Sequence, residues 1–187
     1  MKNLFILSLF FICACSFEND ERTIAFVGDS LVEKWDTQEF FPSRKTVNYG
    51  KSGSGISYVE GFRGRSIGDD VVVIIGTNDL KRIEKSNETE YVTRYVDAIQ
   101  EIYAEGVYLF SIFPRSFMND SDSINVKISH INSLIKGRIT PTDIHYIDVF
   151  SDLSKDGSID MQYSYDGLHL NSHGYELIYS RLKRVLQ

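Results

Sequence analysis

Short apolar runs alternate with amphipathic helical patterns along most of this chain. Five runs of five or six residues are rich in β-branched and aromatic side chains, as is typical of strands in a parallel sheet. These predicted strands cover residues 23–27, 45–49, 71–75, 107–112 and 144–149. Because helical patterns separate them, the chain is expected to form βα units around a five-stranded parallel sheet whose strands are buried on both faces.

Three helices are predicted from apolar positions that recur every three or four residues. The first covers residues 87–105, with Asn87 and Glu90 as a capping pair and Gly106 as its stop. The core positions of the three helices are Val92, Val96, Ile99 and Ile102, then Ile124, Ile128, Ile131 and Ile135, and finally Tyr175, Ile178, Leu182 and Val185. Helices on both faces of the sheet give the fold class: α/β, a three-layer α/β/α sandwich. In such folds ligands bind beyond the carboxyl ends of the strands, near a switch in strand order.

The N-terminus has the layout of a secretory signal. Lys2 precedes an uncharged apolar stretch, residues 4–14, which is shorter than the roughly 20 residues that span a bilayer. The stretch ends in Ile-Cys-Ala-Cys at 12–15, which resembles the bacterial lipobox, whose cysteine is lipidated and becomes the new N-terminus. We therefore expect residues 1–14 to be a lipoprotein-type signal peptide, 15–22 a tether and 23–187 one domain.

Export follows from either interpretation of this leader. Lipidation of Cys15 would anchor the protein to a membrane of the bacterial cell envelope. Cleavage by an ordinary signal peptidase would instead release a secreted or periplasmic soluble protein.

Composition narrows the possible partners and cofactors. With 20 Lys and Arg against 26 Asp and Glu, the net charge of −6 has the wrong sign for nucleic-acid binding, so no nucleic-acid partner is expected. Both cysteines, Cys13 and Cys15, lie at the leader, which excludes disulfides and thiolate metal sites inside the fold. His173 follows His169 by four residues, but no acidic cluster accompanies the pair, so we expect neither a metal nor a cofactor.

A serine and an Asp-His pair follow two of the predicted strands. Ser30 lies in Gly-Asp-Ser-Leu at 28–31, where the first strand turns into a helix, and Asp166 and His169 follow the last strand. A serine hydroxyl becomes nucleophilic when a histidine takes its proton and a carboxylate orients that histidine. Each segment also has a structural alternative: a capped turn for the first and a solvated loop for the second.

Groups that can stabilise an oxyanion follow the second and third predicted strands. Asn78, in Gly-Thr-Asn-Asp at 76–79, can place its amide over the sheet edge, and the glycine-rich stretch at 50–53 lets backbone approach a substrate. The Ser30 N–H would be a third donor. One such donor is typically worth roughly 3 to 4 kcal/mol of transition-state stabilisation.

Together the four segments resemble the blocks of the SGNH hydrolases, the GDSL-type esterase and lipase family. They occur in family order as Gly-Asp-Ser-Leu at 28–31, Asn-Tyr-Gly-Lys-Ser-Gly at 48–53, Gly-Thr-Asn-Asp at 76–79 and Asp-Gly-Leu-His at 166–169. The resemblance implies a flavodoxin-like five-stranded sandwich that works without a cofactor. It also implies that Ser30 is the nucleophile, His169 the base and Asp166 its orienter, with Ser30 N–H, Gly53 N–H and the Asn78 amide as the oxyanion hole. Ser54 stands where many relatives carry an acidic residue, so Gly50 and Gly55 stay open as alternatives to Gly53.

The resemblance implies a serine esterase that works through an acyl-enzyme. Removal of 14 of the 187 residues leaves 173, which gives little room for a lid. We therefore expect a short acyl group, acetyl above all, on a small-molecule or glycan ester, and a carbohydrate acetylesterase in particular. The alternatives are a lysophospholipase or other long-acyl esterase with an apolar acyl channel, and a non-catalytic glycan-binding lipoprotein.

Overall fold

The computed structural model describes residues 22–121, 123–140 and 144–186; the predicted signal peptide, Cys15 and most of the tether lie outside the described residues. The elements are β1 (Thr23–Gly28), α1 (Ser30–Glu33), α2 (Thr37–Phe40), β2 (Lys45–Gly50), α3 (Ile56–Val59), β3 (Asp70–Ile74), α4 (Glu88–Gln100), β4 (Gly106–Phe110), α5 (Ile124–Arg138), β5 (Ile144–Ile147), β6 (Ser154–Lys155), β7 (Ser158–Ile159) and α6 (Ser172–Leu182). A search of the described ranges finds no helix of the length and apolarity needed to span a membrane.

The main sheet has five parallel strands in the order β2-β1-β3-β4-β5. This order confirms the predicted α/β fold, and all five predicted strands occur within two residues of their expected ends. The chain moves outward from β1 to β2 and then returns to the other side of β1 for β3. The switch point therefore lies between β1 and β3, where folds of this kind bind their ligands.

Side chains of the sheet alternate between two apolar layers. Ala25 and Val27 face a core formed with α3, α4 and α5, whereas Ile24 and Phe26 face a second core formed with α1 and α6. The four isoleucines predicted for the second helix are all buried in the first of these cores. Helices thus cover both faces of the sheet, which gives the predicted three layers.

The register of the strands brings the candidate segments to one edge. Gly28, at the end of β1, lies opposite Gly50 of β2 and Ile74 of β3. Because the strands are parallel, the residues that follow them, including Ser30 and Asn78, emerge at the same carboxyl edge. The site is therefore set by pairings among the three strands nearest the switch point.

Some local predictions were wrong. The first long helix ends at Gln100 rather than 105, and Gly106 is the first residue of β4 instead of a helix stop. Asn87 does not cap α4 with its side chain: it accepts from the Glu84 N–H (2.8 Å) and donates to the Arg82 carbonyl (3.0 Å). The C-terminal helix ends at Leu182, so Val185 packs from beyond it.

Burial on both faces was also wrong for the two edge strands, β2 and β5, and in β5 only Ile147 is buried. β2 pairs only with β1 at the edge of the sheet, and none of its residues is fully buried. An edge strand lacks a neighbour on one side, which leaves its side chains partly in solvent. The short antiparallel pair β6-β7 was not predicted.

Candidate active site

The turn between β1 and α1 sets the position of Ser30. A Cβ on Gly28 would lie 2.1 Å from the Ile74 carbonyl oxygen, so only glycine allows this close approach of β1 to β3. Asp29 caps the helix by accepting the Leu31 N–H at 2.9 Å. Ser30 is then the first helical residue, and 7% of it is exposed, which leaves the hydroxyl reachable from the surface.

Ser30, His169 and Asp166 form one hydrogen-bonded series. His169 Nε2 lies 3.1 Å from Ser30 Oγ, and His169 Nδ1 lies 2.8 Å from Asp166 Oδ2. Both distances are those of hydrogen bonds. The structure thus brings together the three residues that the sequence singled out from segments 139 positions apart.

The loop that carries Asp166 and His169 is tied to itself. Ser164 Oγ donates to the His169 carbonyl (2.8 Å) and accepts the Gly167 N–H (2.9 Å). Gly167 has a φ of +84°, and a Cβ there would lie 2.5 Å from the Ser116 carbonyl oxygen, so this position requires glycine. These constraints hold the carboxylate and imidazole at a fixed separation.

Asp166 is held in its ionised form. Partial burial opposes ionisation, but hydrogen bonds from the His169 ring and from the backbone N–H groups of His169 and Leu168 outweigh it and lower the pKa of Asp166. An anionic Asp166 accepts the Nδ1 proton of His169 and leaves Nε2 as the acceptor that faces Ser30. The arrangement can therefore remove a proton from the serine hydroxyl.

Asn78 and Gly53 line the same open cavity of about 400 Å³. One N–H of the Asn78 amide donates to the Ser54 carbonyl (2.9 Å), which orients the amide and leaves its second N–H available. Gly53 is exposed, with a φ of +75°, whereas the Gly50 N–H is already used by Asn48 Oδ1 at 2.8 Å. This favours Gly53 over Gly50 as an oxyanion donor. No hydrogen bond in the described segments joins Ser30 to Gly53 or Asn78.

Most of the chain matches the model of one protein family. Residues 26–177 match the model of the GDSL-like lipase/acylhydrolase family. The chain belongs to this family.

Two curated proteins resemble this chain along most of its length. It is 26% identical over 173 residues to the N-acylneuraminate cytidylyltransferase of Escherichia coli O18:K1:H7, a match that covers 88% of this chain and 40% of that protein. It is 26% identical over 187 residues to human platelet-activating factor acetylhydrolase IB subunit alpha1, covering 90% of this chain and 77% of that protein. The chain thus spans less than half of the length of the first relative.

Solved structures share the fold. A GDSL-like lipase from Bacteroides thetaiotaomicron superposes with a TM-score of 0.71 at 21% identity, covering 87% of this chain and 86% of that one. An acetylxylan esterase from Geobacillus stearothermophilus superposes with a TM-score of 0.64 at 17% identity, covering 87% and 93%. At these identities the likeness is one of fold.

Two buried or half-buried acids, Asp29 and Asp79, brace the candidate site. Asp79 Oδ2 accepts the Ile56 N–H (2.8 Å) and the Tyr91 hydroxyl (3.2 Å), which ties the glycine-rich loop to α4. Asp29 is fully buried, and its Oδ2 has no hydrogen-bond partner in the described part of the chain. Burial raises the pKa of Asp29 to about 7. Both acids hold turns next to the candidate residues.

Sequence reasoning missed Arg115, which follows β4. Its guanidinium is buried and contacts Thr77, the residue before Asn78. The first, second, third and fifth predicted strands each led to a candidate block, whereas the fourth led to none. A charged residue at the carboxyl end of that fourth strand was the signal that could have identified it.

The remaining histidines lie away from the three joined residues. His130 is exposed and contacts Glu88 (3.1 Å), and His145 stacks on Tyr108 with ring centroids 5.0 Å apart. His173 is exposed on α6. Within the described ranges, no group of three or more His, Cys, Asp or Glu side chains has the arrangement of a metal site.

Proposed function

We propose that the protein is a serine esterase that removes short acyl groups, acetyl above all, from carbohydrate esters. The observation that carries the proposal is the series of hydrogen bonds from Ser30 through His169 to Asp166. Membership of the GDSL-like lipase/acylhydrolase family supports an ester as the substrate.

The geometry supports an acyl-enzyme mechanism in two halves. Ser30 Oγ attacks the ester carbonyl carbon while its proton passes to His169 Nε2, and the oxyanion accepts hydrogen bonds from Ser30 N–H, Gly53 N–H and the Asn78 amide. As the alcohol leaves, it takes the proton from His169. Water then attacks the acyl carbon while His169 takes its proton, and the bond to Ser30 Oγ breaks as Oγ receives that proton, which releases the carboxylic acid and restores Ser30.

The preference for a short acyl group rests on the cavity beside Gly53 and Asn78. Most of the described residues that line it are polar or small, and the Tyr58 ring is the one large apolar group among them. A long acyl chain gains about 0.8 kcal/mol for each CH₂ that it buries against apolar surface, and this lining offers little such surface. A polar, open cavity instead suits a small acyl group on a hydroxylated alcohol, and the acetylxylan esterase with the same fold acts on such an ester.

The proposal is tested by the acyl-chain profile of protein lacking residues 1–16. With p-nitrophenyl esters from acetate to palmitate, we expect kcat/KM for acetate to exceed that for octanoate by at least about tenfold. Measurement of the acetate released from acetylated oligosaccharides then tests whether the alcohol part of the substrate is a carbohydrate. A maximum at eight or more carbons would instead support the lysophospholipase alternative. If no ester is hydrolysed in a Ser30-dependent manner, the glycan-binding alternative replaces the enzyme.

We also propose that Cys15 anchors the protein in the cell envelope. The support is the uncharged stretch of residues 4–14 that ends directly at this cysteine. In a bacterial host, wild-type protein should incorporate radiolabelled palmitate and sediment with membranes, whereas Cys15→Ala should lose both properties. A label that persists in the variant, or an unlabelled soluble wild type, would contradict the anchor.

A further inference from the structure

Arg115 is a buried arginine whose whole guanidinium is engaged. Only 6% of the residue is exposed. Nη1 donates to the Thr77 carbonyl (3.1 Å) and hydroxyl (3.0 Å), while Nε and Nη2 donate to the two carboxylate oxygens of Asp120 (2.7 and 2.8 Å). The planar group therefore bridges the turn after β3 and the loop after β4.

The residues on either side of these contacts belong to the candidate site. Thr77 directly precedes Asn78, whose amide is the proposed oxyanion donor. On the other side, the N–H of Ser116 donates to the Gly167 carbonyl (2.8 Å), and the Phe117 ring meets the His169 imidazole edge-on at 6.5 Å between centroids. Arg115 thus lies between the two groups: its own contact, Thr77, precedes the oxyanion donor, and the two residues that follow it contact Gly167 and the base His169.

Hydrogen bonds to the backbone of Arg115 and to its loop fix its position as well. Its backbone N–H donates to Asn125 Oδ1 (2.8 Å), and its carbonyl accepts from Asn125 Nδ2 (2.7 Å). Asp120 also accepts the Phe117 N–H (2.7 Å), so the carboxylate that anchors the guanidinium anchors the loop as well. The bidentate pair of Arg115 and Asp120, whose side chains are 6–7% exposed, fixes the two groups in one relative geometry. Removal of both charges from water costs free energy, so the main effect of the pair is on geometry rather than on stability.

We propose that Arg115 is a positioning residue that holds Asn78 and His169 in register on either side of Ser30. The inference rests on the proposed function, since it takes Asn78 as the oxyanion donor and His169 as the base. Displacement of a catalytic group by about 1 Å can cost about 10²-fold in rate. Lysine retains the charge of arginine but not its planar fork, so it cannot reproduce the paired hydrogen bonds to Asp120 together with the contact to Thr77.

The test compares Arg115→Lys with Arg181→Lys. Arg181, near the end of α6, forms the same fork with Asp152 (2.7 and 2.8 Å) but touches none of the proposed catalytic groups, which makes it a matched control. With p-nitrophenyl acetate, we expect kcat of Arg115→Lys to fall about 10- to 100-fold while KM stays within about twofold. Arg181→Lys should keep both constants. An Arg115→Lys enzyme whose kcat matches that of the control would overturn the proposal.

Hydrogen exchange gives a readout that does not depend on turnover. Amides of residues 76–79 and 164–169 should exchange faster in Arg115→Lys than in wild type. In Arg181→Lys their exchange rates should equal those of wild type. If the wild type shows no Ser30-dependent activity but this pattern appears, the proposed function fails, whereas the structural link from Arg115 to these two segments stands. Unchanged exchange in both segments contradicts the role whatever the activity.

A second variant covers the case in which Arg115→Lys does not fold. Thr77→Val keeps the shape of the side chain and removes only the hydroxyl that accepts from Arg115 Nη1. We expect kcat to fall several-fold with an unchanged KM, and faster exchange confined to residues 76–79. Wild-type kcat and exchange in a folded Thr77→Val protein would overturn the link to Asn78.

Discussion

Replacement of Ser30 by alanine should reduce kcat for p-nitrophenyl acetate by about 10⁵- to 10⁶-fold, because no other group can form the acyl bond. His169→Ala should cost about as much, since nucleophile and base act as one unit. Asp166→Asn should cost less, about 10⁴-fold, because the imidazole keeps its place but loses the carboxylate that selects its tautomer. Each variant should retain the far-UV circular dichroism spectrum of the wild type and a melting temperature close to that of the wild type.

Ser180→Ala is the control for Ser30→Ala. Ser180 is an exposed serine on α6 whose hydroxyl donates to the Leu177 carbonyl (2.7 Å), so its replacement removes a hydroxyl without touching the hydrogen-bonded series or the cavity beside Gly53. We expect its kcat to stay within about threefold of wild type, in line with a neutral surface substitution. Retention of more than a tenth of the wild-type rate by purified Ser30→Ala would refute Ser30 as the nucleophile.

Asp29→Asn should change the pH dependence of stability by about 4 kcal/mol between pH 4 and pH 8. Burial is the main cause of the raised pKa of about 7; the Leu31 N–H and Arg115 lower it in part, and Asp79 raises it. Because the unfolded chain has the ordinary value of 3.8, the folded state binds more protons between these two pH values. The free energy of unfolding of the wild type therefore falls as the pH rises through this window.

Asparagine removes this titration and keeps the capping geometry. Its side-chain oxygen still accepts the Leu31 N–H, and an uncharged amide replaces the carboxylate whose second oxygen has no partner among the described residues. In urea unfolding at a series of pH values, the free energy of unfolding of Asp29→Asn relative to that of wild type should rise steadily from about pH 4 to pH 8. A stability difference that is constant across this range would show that Asp29 is ionised at ordinary pH in the folded protein.

The sequence allowed much of the fold to be predicted because its main signals are local. Strands such as β3 are continuous apolar runs, and the four isoleucines of α5 repeat at helical spacing, so both were found from pattern alone. The meeting of Ser30 and His169 followed from topology, since residues after parallel strands emerge at one edge. Their 3.1 Å contact is what the structure adds.

What the sequence did not predict depends on which of several possible contacts or positions a residue takes in the folded chain. The expected cap of Asn87 was wrong because its side chain bonds to the preceding turn at Arg82 and Glu84 instead. Burial of β2 was overestimated because an apolar run does not indicate which strand lies at the edge. Arg115 escaped notice because its role rests on Thr77, 38 positions away, and no local pattern encodes that contact.

The most direct test of the central claim is the mass of the enzyme quenched with acid during turnover of p-nitrophenyl acetate. We predict an adduct of one acetyl group that peptide mapping places on Ser30, in wild-type protein and not in Ser30→Ala. Such an adduct accumulates if deacylation is slower than acylation, a condition that an initial burst of p-nitrophenol establishes in the same experiment. A burst without acetyl on Ser30, or acetyl on another residue that turns over at the same rate in Ser30→Ala, would contradict the acyl-enzyme account.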